Sequence, residues 1–184
     1  MTNIIKHQFL LAKKHDRMAQ KFLYETFSPK MLSIAKSYVN SIYDAEDILI
    51  QAFYKAFTRI EECKSEESFG YWLRKIVVND SINFIRKNKN LLYVDSEFIE
   101  NHQENFSDDF QENLPEFNVE EVLEKMPIGY KLVFNLYIFE DKKHQEIAEI
   151  LNISEGTSKS QLNKAKKWLT EFFNKKENEK FIKK

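Results

Sequence analysis

Two stretches of this 184-residue chain gather side chains suited to holding a nucleic acid. In the first, Trp72, Lys75, Ile76, Asn79, Asn83 and Arg86 recur at i, i+3, i+4, i+7, i+11 and i+14, one face of a helix. An aromatic ring can stack on a base, amides can bond base edges, and the two cations can hold phosphates. Trp72 suits a core position equally well, so this face alone decides nothing. In the second, HQEIAEILNISEGTSKSQLNKAKKWL from His144 to Leu169, one apolar-periodic segment stops at Asn152 and another starts after Ser154. The later segment turns Lys159, Ser160, Asn163, Lys164 and Lys167 outward. It reads as a DNA-reading helix or as an amphipathic hairpin with a solvated basic face.

A helix-turn-helix template fits this second stretch closely. Ala148 takes the small position where two helices cross, and Asn152 the turn position that needs a left-handed backbone. Ile153 anchors the turn, Ser154 caps the next helix through its hydroxyl, and Leu162 packs inward. Gly156 in the first helical turn costs about 1 kcal/mol relative to Ala, which suggests a close approach to the backbone there. The usually apolar position after Thr157 holds Ser158 instead. His144, at the start of the first helix, suits either a phosphate contact or solvent.

Catalytic arrangements do not emerge. The four histidines lie far apart, Cys63 is the single cysteine, and no phosphate-cradling glycine loop or nucleophile–base pattern occurs. The expectation is a binding protein rather than an enzyme, with no metal and no cofactor.

The elements that position these residues read as helices. Three glycines and three prolines in the whole chain favour long helices with few tight turns. Phe9, Ala12, Ala19, Phe22 and Leu23 suit a first helix. Met31, Leu32, Ile34, Ala35, Tyr38 and Val39 suit a second, started near Ser28-Pro29. A third is expected from Asp44, acting as its cap, through Phe53 and Phe57 to about Ile60. A fourth runs from near Ser68 to the basic cluster at 86–89, with Leu73, Val77, Ser81 and Phe84 as a core stripe beside Val78, Ile82 and Ile85. The fold class expected is all-α, in two small helical domains.

Charge supports that division. Residues 1–89 carry 15 Lys/Arg against 10 Asp/Glu, residues 90–124 carry 11 acids and no Lys or Arg, and residues 125–184 carry 13 against 8. Two mildly basic bodies joined by an acidic strap suit a polyanion-binding protein whose linker meets a cationic partner; a solvated linker has the same composition. The domains are therefore drawn at 1–91 and 117–184, with an acidic linker at 92–116. One cysteine fits a reducing cytoplasm, no run of about 18 apolar residues predicts membrane insertion, and the N-terminus lacks a signal-peptide core.

Three blocks together carry a family resemblance: DAEDILIQAFYKAF at 44–57, FGYWLRKIVVNDSINFIRKNK at 69–89, and MPIGYKLVFNLYIFEDKKHQEIAEILNISEGTSKSQLNKAKKWL at 126–169. In content and order they resemble the extracytoplasmic-function (ECF) sigma factors of bacterial RNA polymerase. The resemblance spans nearly the whole chain except about the first eight residues and the last dozen. It implies a cytoplasmic transcription initiation factor that binds core RNA polymerase and reads promoter DNA. A polymerase-independent helix-turn-helix regulator and a helical adaptor without DNA contact are the alternatives.

The resemblance also implies roles for single residues. Asp44, Glu46, Asp47, Ile48, Gln51 and Arg59 match the surface that docks on the clamp coiled coil of the polymerase largest subunit. Relatives carry a polar pair where this chain has Ile50-Gln51. Trp72, Lys75, Asn79, Asn83 and Arg86 match positions that hold the opened −10 strand. Residues 63–68 match a pocket for a flipped base, with Lys64 the one cation in that acidic loop. Lys159, Ser160, Asn163 and Lys164 match the positions that read the −35 duplex in the major groove, and Thr157, Lys166 and Lys167 fit its backbone. Relatives often place arginine at positions 161, 164 and 166; Gln161, Lys164 and Lys166 stand here, and lysine gives a point charge instead of a fork. An anti-sigma factor is a partner by family habit, and no residue identifies it.

Overall fold

The computed structural model describes residues 2–87 and 119–182, and the chain divides into two compact units, 1–87 and 88–184. The acidic stretch 92–116, both expected linker boundaries and Lys89 lie outside the described residues. All regular elements among the described residues are helical.

The N-terminal unit contains α1 (Thr2–Lys13), α2 (Arg17–Tyr38), α3 (Ile42–Thr58), a 3₁₀ turn at Ile60–Glu62, and α4 (Glu66–Lys87). Three boundaries correct the sequence expectation. The apolar run from Phe9 to Leu23 is split between α1 and α2, because His15 turns the chain in a left-handed conformation and Asp16 caps the next helix, accepting from the Ala19 N–H at 2.8 Å. Pro29 begins nothing: it lies inside α2. Its ring removes one backbone donor, and burial of Leu23 on one side and Met31 and Ala35 on the other keeps the helix continuous. Asp44 is not the cap of α3. Ser41 is, three residues before the expected cap, accepting from the Asp44 N–H at 3.3 Å, so the helix starts at Ile42.

These helices pack pairwise, α1 on α2, α2 on α3 and α4, and α3 on α4. Phe69 lies at the centre without exposed surface, its ring centroid 5.7 Å from Phe9 and 5.2 Å from Phe27, both edge-on. Gly70 allows close packing beside it, since a Cβ there would lie 3.0 Å from the Phe27 ring and push it aside. Leu73, Val77, Ser81, Val78, Ile82 and Ile85 are buried as their spacing predicts, with Ser81 donating its hydroxyl to the Val77 carbonyl at 2.8 Å. The buried Asp80 carboxylate pairs with Lys55, tying α4 to α3.

The C-terminal unit contains α5 (Val119–Lys125), α6 (Ile128–Ile138), α7 (His144–Leu151) and the long α8 (Glu155–Ile182). Val122 and Leu123 of the first, with Met126 just after it, pack on Ala165, Leu169 and Phe173 of the last. Between α7 and α8, Asn152 adopts φ 55° and ψ 49°, the left-handed turn its side chain tolerates. Ser154 accepts from the Thr157 N–H at 2.9 Å, and Leu162 is buried. Each of these local assignments agrees with the helix-turn-helix template. Three polar residues, Lys131, Asn135 and Ser158, have no exposed surface in this unit.

Candidate nucleic-acid interface

The two helices of the turn motif are fixed by complementary end chemistry. Glu146 in the first turn of α7 accepts from the Lys143 N–H at 2.9 Å and from Lys142 Nζ at 3.3 Å. These donors hold its carboxyl below the ordinary range, the backbone bond contributing most. At the start of α8, Ser154 Oγ meets both the Thr157 N–H and, at 2.8 Å, its hydroxyl. Thr157 is thereby half-buried and engaged in the cap.

Beyond that cap, Lys159, Ser160, Asn163 and Lys167 are exposed, while Lys164 and Lys166 are half-buried. The helix carries Lys159, Ser160, Asn163 and Lys164 to one outward sector, as the sequence predicts. Lys159 pairs with Glu155 at 2.7 Å, and that pair lowers the Glu155 pKa. Nothing inside the protein crowds Gly156: a Cβ there would meet only Ser154 Oγ, at 3.7 Å. Ser158, unassigned by the sequence, is fully buried and lies 2.9 Å from His144 Nδ1. His144 is partly buried, and its ring also stacks on Tyr137, centroids 5.0 Å apart and planes at 25°.

In the N-terminal unit, α4 gathers Trp72, Lys75, Asn79, Asn83 and Arg86 on one face, the last four exposed. Trp72 is half-buried, 6.1 Å from Phe69, so it is partly core and partly available. Lys75 Nζ lies 4.7 Å over the ring of Tyr71, an exposed aromatic that the sequence reading passed over. Lys64 is exposed just ahead of the helix. Between them, Ser65 and Ser68 use their hydroxyls on one another's backbone N–H, at 3.1 and 3.3 Å, and Cys63 Sγ sits 3.3 Å from the Ser65 carbonyl. The polar groups of 63–68 thus cap α4 from within.

On α3, Glu46, Asp47 and Gln51 are exposed and Asp44 is half-buried, its N–H taken by Ser41. Arg59 is exposed and forks onto Glu62 at 2.8 and 2.7 Å. Ile48 is a correction: at 3% exposure it belongs to the core stripe with Ala45, Leu49 and Ala52, and cannot present its side chain to a partner. The most exposed apolar residues of this helix are Tyr43, Ile50 and Tyr54, at 77%, 59% and 70%, with Ile42 less so. Their spacing was visible in the sequence, because the buried stripe of α3 is complete without them.

Comparison with known proteins identifies the family. Residues 23–91 match the family model for sigma-70 region 2, and residues 116–169 that for sigma-70 region 4. The RNA polymerase sigma factor SigV of Bacillus subtilis (strain 168) is 34% identical over 134 residues, 73% of this chain and 78% of that one. The ECF RNA polymerase sigma factor SigW of the same organism is 27% identical over 183 residues, covering 92% and 96%. An ECF RNA polymerase sigma-E factor of Haemophilus influenzae is 26% identical over 165 residues, covering 84% and 87%. The chain belongs to the ECF branch of the sigma-70 family and directs promoter-specific transcription initiation. Its α7–α8 pair is the helix-turn-helix of region 4, and the family is not one of enzymes. Among the described residues no helix is long and apolar enough to cross a membrane, and no acidic, histidine or cysteine group is assembled to hold a metal.

Proposed function

We propose that this chain acts as a subunit of RNA polymerase in the cytoplasm, reading −35 duplex with α8 and holding opened −10 DNA on α4. The carrying observation is the turn of the C-terminal unit: Asn152 in a left-handed conformation and the Ser154 cap aim a polar, lysine-bearing face away from the core. Lys159, Ser160, Asn163 and Lys164 meet base edges in the major groove, while Thr157, Lys166 and Lys167 meet the flanking backbone. Uncrowded Gly156 lets the DNA backbone come close to the start of that helix.

On α4, Trp72 stacks on an unpaired base, Asn79 and Asn83 bond base edges, and Lys75, Arg86 and Lys64 neutralise phosphates. Docking on the clamp coiled coil of the polymerase largest subunit falls to Asp44, Glu46, Asp47, Gln51 and Arg59, with Tyr43, Ile50 and Tyr54 supplying the apolar area that such contacts need. The acidic linker, 92–116 between domains 1–91 and 117–184, suits a cationic path through the polymerase, and an anti-sigma factor holds the protein inactive until a stimulus frees it. Run-off transcription from a promoter library with purified core polymerase tests this reading. Promoter-dependent transcripts that vanish when Lys159 and Lys164 are both changed to Ala are expected. Tight promoter footprinting by the chain without polymerase would overturn it.

A further inference from the structure

One residue from each of three helices meets at His144. Its Nδ1 lies 2.9 Å from the hydroxyl of Ser158 on α8, and its ring stacks on Tyr137 of α6. Ser158 has no exposed surface, and its own N–H bonds the Ser154 carbonyl at 3.0 Å, so its position is fixed by the helix. The imidazole therefore cannot turn without breaking both a hydrogen bond and a stack, and Nε2 is its remaining bonding atom. The charged groups around it are Lys159, Lys166 and Glu155 from α8; on its own helix and the residues before it, Glu146 is engaged by Lys142 and Lys143. Burial and then the two lysines hold the imidazole below its ordinary range, Glu155 opposing them. A phosphate arriving among these lysines reverses the sign of the field, since negative charge favours imidazolium.

We propose that Ser158 and Tyr137 are positioning residues that hold His144 as a contact to the DNA backbone, and that His144 takes up a proton as duplex phosphate arrives. The proton comes from solvent and no covalent bond changes. This rests on the −35 reading above and adds to it a pH-linked contact outside the base-reading face. The apolar residue that the family usually places after Thr157 packs the same helix pair without orienting a ring. The sign follows from linkage: a group whose pKa is higher in the complex gives affinity that is fully present below its free pKa and is lost as pH rises through its bound pKa.

The test is holoenzyme binding to a promoter fragment and to one with a scrambled −35 element, between pH 6 and pH 8 at fixed salt. Wild type, H144Q and S158A are compared, so that titrations elsewhere in polymerase cancel. S158A removes one hydroxyl and leaves a good helix former, so the fold is retained. Wild type should tighten about 3- to 10-fold more than H144Q on going from pH 8 to pH 6, within the tenfold per pH unit that one proton allows. S158A should show a reduced slope, because its imidazole is free to turn. A wild-type slope in H144Q overturns the phosphate contact, and a wild-type slope in S158A overturns the positioning. Failure of the wild type to distinguish the two fragments at every pH is a different result; it sinks the −35 reading itself.

Discussion

In residues 2–87 the helices meet chiefly through aromatic rings, with the Lys55–Asp80 pair between α3 and α4, whereas in residues 119–175 they meet in part through polar side chains with no exposed surface. Phe69, between Phe9 and Phe27, joins three helices by area and ring geometry alone. Lys131, Asn135 and Ser158 occupy comparable depth in the C-terminal unit, and His144 leans on one of them. Those ring contacts do not titrate, and the charged tie in the first unit is the Lys55–Asp80 pair that joins α3 to α4. Buried polar groups specify geometry, and in the second unit Lys131 and the His144 that bonds Ser158 can also titrate. The difference can be broken by single substitutions.

The largest effect is expected at the aromatic centre. Phe69→Ala should destabilise the N-terminal unit by about 3–5 kcal/mol, because the surrounding rings cannot collapse into the space. Urea unfolding followed by Trp72 fluorescence in a Trp168→Phe background reads this directly. An effect below about 1 kcal/mol would show that Phe69 is not the centre of that core.

Next comes Lys131. Burial lowers its pKa from 10.5 to about 8, partly opposed by Glu124. The unfolded chain therefore binds more protons between about pH 8 and 10.5, and the stability of the C-terminal unit rises with pH across that window. Below about pH 8 the full cost of burying the charge is present. Lys131→Met should remove that rise, about 2–3 kcal/mol over the window, when unfolding is followed by Trp168 in a Trp72→Phe background. Parallel pH curves for the two proteins would contradict the burial of a charge there.

The same contrast explains what the sequence disclosed. The helix-turn-helix was legible nearly residue by residue, because Asn152, Ser154 and Leu162 act through local backbone rules. Helix starts in the N-terminal unit were less legible. Pro29 resembles a beginning, yet tertiary burial on both flanks carries the helix through it. Asp16 and Ser41 are the caps, and each stands beside a stronger local signal, the apolar run around Asp16 and the acids after Ser41. Ile48 was assigned outward by resemblance and lies inward by periodicity, and periodicity wins because a buried stripe admits no exceptions on its own face. The His144–Ser158 bond spans 14 residues and two helices, so no local pattern announces it.

On the reading helix, Lys164→Ala should cost about 1–3 kcal/mol on the preferred −35 sequence and much less on a scrambled one. Lys167→Ala should weaken both alike and lower the salt slope by about one. Holoenzyme binding to paired fragments at several salt concentrations separates the two. Equal losses on both fragments for both variants would make α8 a basic face without base readout.

The smallest effects compare the turns. Both units place non-glycine residues in the left-handed region: His15 at φ 61° in the first, and Asp141 at φ 51° and Asn152 at φ 55° in the second, of which His15 and Asn152 make the instructive pair. Asparagine adopts this conformation at little cost, while histidine, with a larger side chain and no comparable local hydrogen bond, bears more of the steric penalty. Glycine relieves that penalty and adds unfolded-state entropy, and the two terms nearly cancel at Asn152. Asn152→Gly should thus change stability by less than about 0.5 kcal/mol, whereas His15→Gly should stabilise by about 0.5–1 kcal/mol. Paired urea curves, each followed by the tryptophan of its own unit, resolve the difference. If His15→Gly instead destabilised its unit, the imidazole would be holding the α1–α2 turn through contacts worth more than the strain.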